Sequence, residues 1–256
     1  MPKRNNREAI FRDMSLVDLH SHVLPCVDDG SESVEESLEM LKAARACGVS
    51  LMIATPHFYA HCDTPERFLK RRNEAVRLLS EAVEKESLGE SALPRLGVGA
   101  EVAFFGGMSR SSALESLCVM GTKLILIEMP FEKWTAAMVD ELFGIKSKLG
   151  LTPVIAHIDR YIRHQTREVM SEVLSGELLI QMNAEALLCR STRSICLELL
   201  SAGEVDFLGS DCHDLSDRSP DMSAAFDLIE RKLGKGILGE LAKFGAFALE
   251  DAALII

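Results

Sequence analysis

Basic residues are scarce in this chain: 28 Lys and Arg stand against 39 Asp and Glu, a formal net charge of −11. A nucleic-acid backbone or an anionic membrane would be repelled, so neither is expected as the main partner. No stretch approaches the roughly 18 uninterrupted apolar residues of a membrane span. The opening MPKRNNREAIFRDMSLVDLH is polar, without the apolar segment of a signal peptide. A cytoplasmic protein with no membrane insertion is expected. Paired cysteines are missing too: the seven present are odd in number and none forms a CxxC pair. That argues against a disulfide framework or a thiolate zinc site, and for small buried hydrophobes in a reducing compartment. Aromatics make up only 5% of the residues, and no low-complexity tract, internal repeat or dividing linker is found.

What remains is a chain of 256 residues, long enough for one large domain with a buried core. Along it a short apolar run recurs, followed within a few residues by a side chain with hydrogen-bonding or metal-binding capacity. The runs are Leu16–Leu19 before His20, Leu51–Thr55 before His57, Leu96–Gly99 before Glu101, Leu124–Ile127 before Glu128, Val154–Ala156 before His157, Leu178–Met182 before Asn183 and Val205–Gly209 before Asp211. Runs without clean alternation suit strands buried on both faces, as in a parallel sheet. Helical patterns lie between them. Ser33-Val34-Glu35-Glu36 reads as a capping box, and Thr64-Pro65-Glu66 as an N-cap followed by proline at the first helical position, opening a helix to about Glu86. Further helices are predicted near 132–149, 166–175, 192–202, 220–233 and 236–244, and Ser87–Pro94 as a loop. Seven strands alternating with helices predict parallel βα units closing into a barrel, whose active site lies where the strands end.

The candidate ligands sit at those ends. His20-Ser21-His22 places two imidazoles at i and i+2, on one side of an extended chain; packed or exposed histidines give the same pattern. Asp28-Asp29-Gly30 follows closely, though paired Asp before Gly is also plain turn chemistry. His57 and Glu101 could be loop residues. Glu128, between Leu124–Ile127 and Met129-Pro130-Phe131, is harder to dismiss, because a carboxylate in so apolar a setting needs a cation or strong hydrogen bonds. His157 follows a proline-led strand, and Asp211-Cys212-His213 repeats the i, i+2 arrangement. Singly each has a bland explanation; together, on one barrel rim, they favour a metal site. His164 reads as surface, His61 as a loop residue near the rim, Trp134 as packing and Asn183 as support for the rim.

The series Asp18-Leu19-His20-Ser21-His22, Asp28-Asp29-Gly30, Ala54-Thr55-Pro56-His57, Gly99-Ala100-Glu101, Ile127-Glu128-Met129-Pro130, Ala156-His157-Ile158-Asp159-Arg160-Tyr161 and Ser210-Asp211-Cys212-His213 resembles the polymerase and histidinol phosphatase (PHP) superfamily. Within it the chain is similar to the bacterial tyrosine-protein phosphatases encoded beside capsular and exopolysaccharide genes. The resemblance runs from about residue 16 to about 233, leaving 1–15 as an N-terminal extension and 234–256 as a C-terminal helical segment of one domain. The final stretch, Gly245 to Ile256, departs from the Asn-containing ending associated with these proteins.

The resemblance implies a distorted (β/α)7 barrel holding three divalent metal ions, with Mn²⁺ favoured and Fe or Zn also compatible with imidazole and carboxylate ligands. Carried over by position, His20, His22, Glu101 and Asp211 would hold the first, Glu101, Glu128 and His157 the second, and Asp29, His57 and His213 the third. The implied partner is a phosphotyrosine protein, a bacterial tyrosine autokinase with a phosphorylated tail. Three divalent cations outweigh four ligand carboxylates, so an acidic protein would present a cationic pocket to phosphate. The cations would bring the pKa of a bridging water toward neutrality, and the resulting hydroxide would attack phosphorus in line. Arg160 and Arg218 are the expected phosphate clamps, because a guanidinium offers two-pronged donation to phosphate oxygens. A tyrosine leaving group, with a pKa near 10, departs with little general-acid help.

Three rival readings stand beside this one. Cys212 to Arg218 satisfies C-x5-R, the pattern of a thiol phosphatase, but Asp214 and Asp217 lie inside the loop with no glycine, opposite to what a reactive thiolate needs. A phosphatase of a small metabolite such as histidinol phosphate would use the same metals. A metal-binding scaffold without catalysis would be marked by missing ligands, and none is missing.

Overall fold

The computed structural model describes residues 16–86, 92–174 and 178–256. The predicted N-terminal extension, residues 87–91 of the predicted loop and position 175 lie outside them. Each predicted strand forms, with ends moved by a residue or two. In chain order the strands are β1 (Leu16–Ser21), β2 (Val49–Ala54), β3 (His57–Phe58), β4 (Arg95–Val98), β5 (Glu101–Ala103), β6 (Leu124–Glu128), β7 (Thr152–Ile155), β8 (Leu179–Asn183) and β9 (Phe207–Gly209). Two of the seven expected strands are each continued by a second short strand beyond the expected range, β3 after β2 and β5 after β4. Pro56 interrupts the line of β2 and β3, and Gly99-Ala100 that of β4 and β5. All the pairings between these strands are parallel: β1-β2-β4 form one sheet and β3-β5-β6-β7-β8-β9 the other. Ser21 forms a parallel bridge to Cys212, just past β9, and so brings the first strand beside the last. The result is an α/β domain built on a curled parallel sheet.

Helices connect the strands: α1 (Val34–Ala46), α2 (Pro65–Glu86), α3 (Ala136–Gly144), α4 (Arg167–Leu174), α5 (Arg193–Ala202), α6 (Ser223–Leu233) and α7 (Lys235–Ala248). None among the described residues is long and apolar enough to cross a membrane. Ser33 caps α1 as expected, its side chain accepting from Glu36 N. The return bond of the capping box is displaced by one residue, since Glu36 Oε2 accepts from Glu32 N at 2.7 Å rather than from Ser33.

Alternation along the strands sorts two apolar layers. Met52, Ala54, Ile125, Ile127, Ile155, Ile180 and Leu208 pack toward the helices. Leu19, Leu51, Ile53, Leu124, Leu126, Val154 and Phe207 meet on the concave side. Toward the carboxyl ends that side turns polar, as Leu124 and Leu126 lead to Glu128, and Leu179 to Gln181 and Asn183. The amino end is closed by α7, longer than predicted. Phe244 lies 5.3 Å from Phe207 between ring centroids, and the tail runs antiparallel to β4 through a Gly97–Leu254 bridge and an Ile255 N–H to Leu96 O bond of 2.8 Å.

Candidate metal centre

His20 and His22, at the end of β1, bring their Nε2 atoms within 3.2 Å. Each has its other nitrogen occupied: His20 Nδ1 faces Gln181 Oε1 at 3.2 Å and His22 Nδ1 faces Asp28 Oδ2 at 2.7 Å. An acceptor at Nδ1 fixes the tautomer that leaves Nε2 free to coordinate. His213 is arranged alike, with Nδ1 on the Asp211 carbonyl at 3.0 Å. Asp28 also accepts from His57 N at 2.9 Å and Gly30 N at 3.0 Å, so it locks two histidines while its neighbour Asp29 points out. Asp29 Oδ1 stands 3.5 Å from both His57 Nε2 and His213 Nε2. The loop folds this tightly because residue 30 is glycine: a Cβ there would fall 2.2 Å from His22 O.

Glu101 is the hub. Buried to 1% exposure, its Oε2 contacts His57 Nδ1 at 2.9 Å, His20 Nε2 at 3.1 Å and His22 Nε2 at 3.3 Å, and Oε1 meets His157 Nε2 at 2.9 Å. Glu128 Oε1 lies 3.7 Å from the same His157 nitrogen. Burial works to raise the Glu101 pKa, but His20 beside it and its contacts with His157, His20 and His22 hold the carboxyl well below its usual range. Glu128 goes the other way, raised by burial and by the charge of Glu101. Burial and the neighbouring His22 and Arg218 push His213 down to about 4. Arg72, from α2, sets the turn before the hub by donating Nη1 to Gly99 O at 2.9 Å.

On the far side Asp211 Oδ1 stands 3.4 Å from both His20 and His22 Nε2. Its Oδ2 takes Asn183 Nδ2 at 2.9 Å, Arg218 Nη2 at 2.8 Å and a close contact from Arg160 Nη2. Both expected clamps therefore reach the rim, where they converge on a carboxylate. His157 and Asp211 have φ of 32° and 53°, a left-handed backbone that non-glycine residues seldom adopt and that gathers at functional sites.

All nine sequence-predicted ligands thus form one contiguous set. Among the described residues, the compact groups are His22, Asp29, His57 and His213; His20, His22 and Glu101; and His57, Glu101 and Glu128. These cut across the three sets implied by the resemblance, since His22 also joins Asp29, His57 and His213, and His57 joins Glu101 and Glu128. His57 Nδ1, Glu101 Oε2 and His213 Nε2 are buried without a hydrogen-bond partner of acceptable angle. Converging imidazole and carboxylate atoms that fail to satisfy one another suit divalent cations.

A family model for capsular polysaccharide synthesis, CpsB/CapC, matches residues 16–246. The chain belongs to the CpsB/CapC family. It is 29% identical over 232 residues to the tyrosine-protein phosphatase YwqE of Bacillus subtilis, covering 86% of this chain and 85% of that one. The tyrosine-protein phosphatase CpsB of Streptococcus pneumoniae is 26% identical over 230 residues, covering 86% and 91%. In three dimensions the fold matches a structure from work on YwqE of Bacillus subtilis and CpsB of Streptococcus pneumoniae, described as metal-dependent tyrosine phosphatases. The TM-score is 0.73 at 26% identity, over 93% of this chain and 96% of the other.

Within this family member, several supporting residues escape sequence reasoning. Gln181 is fully buried and accepts from His157 N at 2.6 Å as well as facing His20, yet in sequence it is one polar residue inside an apolar strand. Asp18 ties β1 to β9 by accepting from Ser210 N at 2.9 Å and Ser210 Oγ at 2.6 Å. Burial raises its pKa to about 6 against those hydrogen bonds. Asp28 was legible only as turn chemistry. In the C-x5-R pattern Cys212 is fully buried, and burial above all, then Asp18, pushes its thiol pKa up. Asp214 and Asp217, the charges inside the loop, are not among the main causes of that rise. Trp134 is buried with Nε1 donating to Pro130 O at 3.0 Å, His164 is exposed, and exposed His61 lies 5.8 Å from Tyr59 between ring centroids.

Proposed function

We propose that this chain is a metal-dependent protein-tyrosine phosphatase acting on a phosphorylated protein of capsule or exopolysaccharide synthesis. The observation that carries the reading is the convergence of eight imidazole and carboxylate side chains, from strand ends and the loops after them, around the buried Glu101. We assign His20, His22, Glu101 and Asp211 to one cation, Glu101, Glu128 and His157 to a second, and Asp29, His57 and His213 to a third, with Mn²⁺ favoured over Fe or Zn. Divalent cations held there supply a water nucleophile acidified to near neutrality and neutralise phosphate charge. Arg160 and Arg218, on the Asp211 side of the rim, bind the phosphate oxygens. Asp28 and Gln181 orient the imidazoles. The phenolate departs without an acid, its pKa being near 10.

We read the seven strand lines as a distorted (β/α)7 barrel, one domain with its core at 16–233, working in the cytoplasm on the phosphorylated tail of a tyrosine autokinase. The supporting features are the Ser21–Cys212 bridge and the family's place in capsular polysaccharide synthesis.

The test is hydrolysis of a phosphotyrosyl peptide by the purified chain. Activity is expected to vanish with chelator, return with Mn²⁺, and fall to background in His20→Ala and Asp211→Ala with the circular dichroism spectrum retained. Full turnover by metal-stripped protein would exclude the mechanism. Turnover of histidinol phosphate, with none on the peptide, would favour the small-metabolite reading instead.

A further inference from the structure

The loop after β6 presents a phenylalanine to solvent beside the metal centre. Phe131 is 60% exposed, three residues past Glu128. The other exposed phenylalanine among the described residues, Phe247, sits on α7 at the opposite end of the sheet. An isolated exposed apolar residue is ordinary on a protein surface; the setting of Phe131 is not. Its ring lies 5.6 Å from that of Tyr161, which is fully buried and itself 5.4 Å from His157. An aromatic row therefore runs from a candidate ligand outward to solvent and ends at Phe131.

The loop is also held. Trp134, 5.1 Å from Tyr161 between centroids, donates Nε1 to Pro130 O at 3.0 Å. Gln165 accepts from Trp134 N at 2.7 Å and donates to Glu132 O at 3.0 Å. These bonds bracket Phe131 on both sides and hold the backbone that carries its ring.

We propose that Phe131 is the specificity residue of this site, stacking on the aromatic ring of an aryl phosphate and selecting aryl over alkyl esters. The phosphate end faces the cations while the ring lies on Phe131 in an offset or edge-to-face arrangement. The proposal rests on the phosphoesterase reading for its substrate class, but it concerns binding and can be read without turnover. Alkyl phosphates reach the same cations yet leave the phenylalanine face bare.

The test is calorimetric titration of the Mn²⁺-loaded full chain with phenylphosphonate and methylphosphonate, alongside turnover of 4-nitrophenyl phosphate. Wild type is expected to prefer phenylphosphonate. Phe131→Ala should weaken it about 3- to 10-fold, the range for one aromatic pair, with methylphosphonate affinity and thermal melting unchanged, and Phe131→Trp should restore the preference. Equal affinity of the wild type for the two phosphonates overturns the proposal, as does equal weakening of both by Phe131→Ala, or no change in either. A wild type that prefers phenylphosphonate yet fails to hydrolyse the ester would sink the phosphatase reading and leave this one standing.

Discussion

Asp28 and Gln181 coordinate nothing in the proposed scheme, yet between them they fix four histidine positions: His22 and the His57 backbone through Asp28, His20 and the His157 backbone through Gln181. A ligand held in one rotamer and tautomer binds with less reorganisation. The His22–Asp28 contact holds the Asp28 carboxyl down to about 2 against the burial that would raise it, so this residue is an anion throughout the working pH range. Asp28→Asn keeps the size and the backbone acceptor but loses the charge opposite His22. Metal content after competition with a fluorescent chelator should show affinity about 10- to 100-fold lower, with the far-ultraviolet spectrum unchanged; unaltered affinity would remove Asp28 from the orienting role. Most of the ligands were legible because they follow an apolar run that reads as a buried strand, or stand two residues past one that does; Asp29, in a turn, was legible only beside them. Their supporters were not. Nothing in Asp28-Asp29 says which carboxylate takes the contacts with His22 Nδ1, His57 N and Gly30 N that hold Asp28. Nor does sequence disclose that His157 and Asp211 adopt left-handed backbone.

At the scale of elements, strand and helix order could be read from periodicity, and the differences have local causes. Pro56 carries no amide hydrogen for a ladder, so one strand line breaks just before His57; the other breaks at Gly99-Ala100, just before Glu101. Both breaks place a ligand at the start of the continuing segment. The closure of the amino end was not legible, because it depends on where a helix lands. Leu249, after α7, is 4% exposed and packs with Leu19, Leu51 and Phe207. Leu249→Ala should destabilise the protein by about 2–5 kcal/mol, read from urea unfolding. Metal stoichiometry should hold at the opposite end, and a loss below about 1 kcal/mol would mean the end-closing contacts contribute little.

For the whole molecule, the charge balance inverts locally. A chain of net charge −11 buries a carboxylate hub that only cations or protonated imidazoles can offset; burial works to lower the pKa of His20 and His22, but the carboxylates of Glu101 and Asp211, with Asp28 beside His22, raise both above the ordinary histidine value. Divalent cations that bind the folded state alone stabilise it by mass action, by about 2.7 kcal/mol per site at a hundredfold excess over Kd. The urea midpoint in Mn²⁺ should therefore stand well above that in chelator, the gap growing with metal concentration. Coincident midpoints would argue that no cation is bound by these side chains.

The division of labour between the two ends of the sheet has a practical side. The last residues lie along β4 beneath α7, with Leu96 N–H donating to Ile256 O, while all nine candidate ligands and Phe131 belong to the carboxyl rim. A bead, dye or surface anchor attached through residue 256 would point away from the mouth of the site, so immobilised protein should accept peptides as readily as protein free in solution.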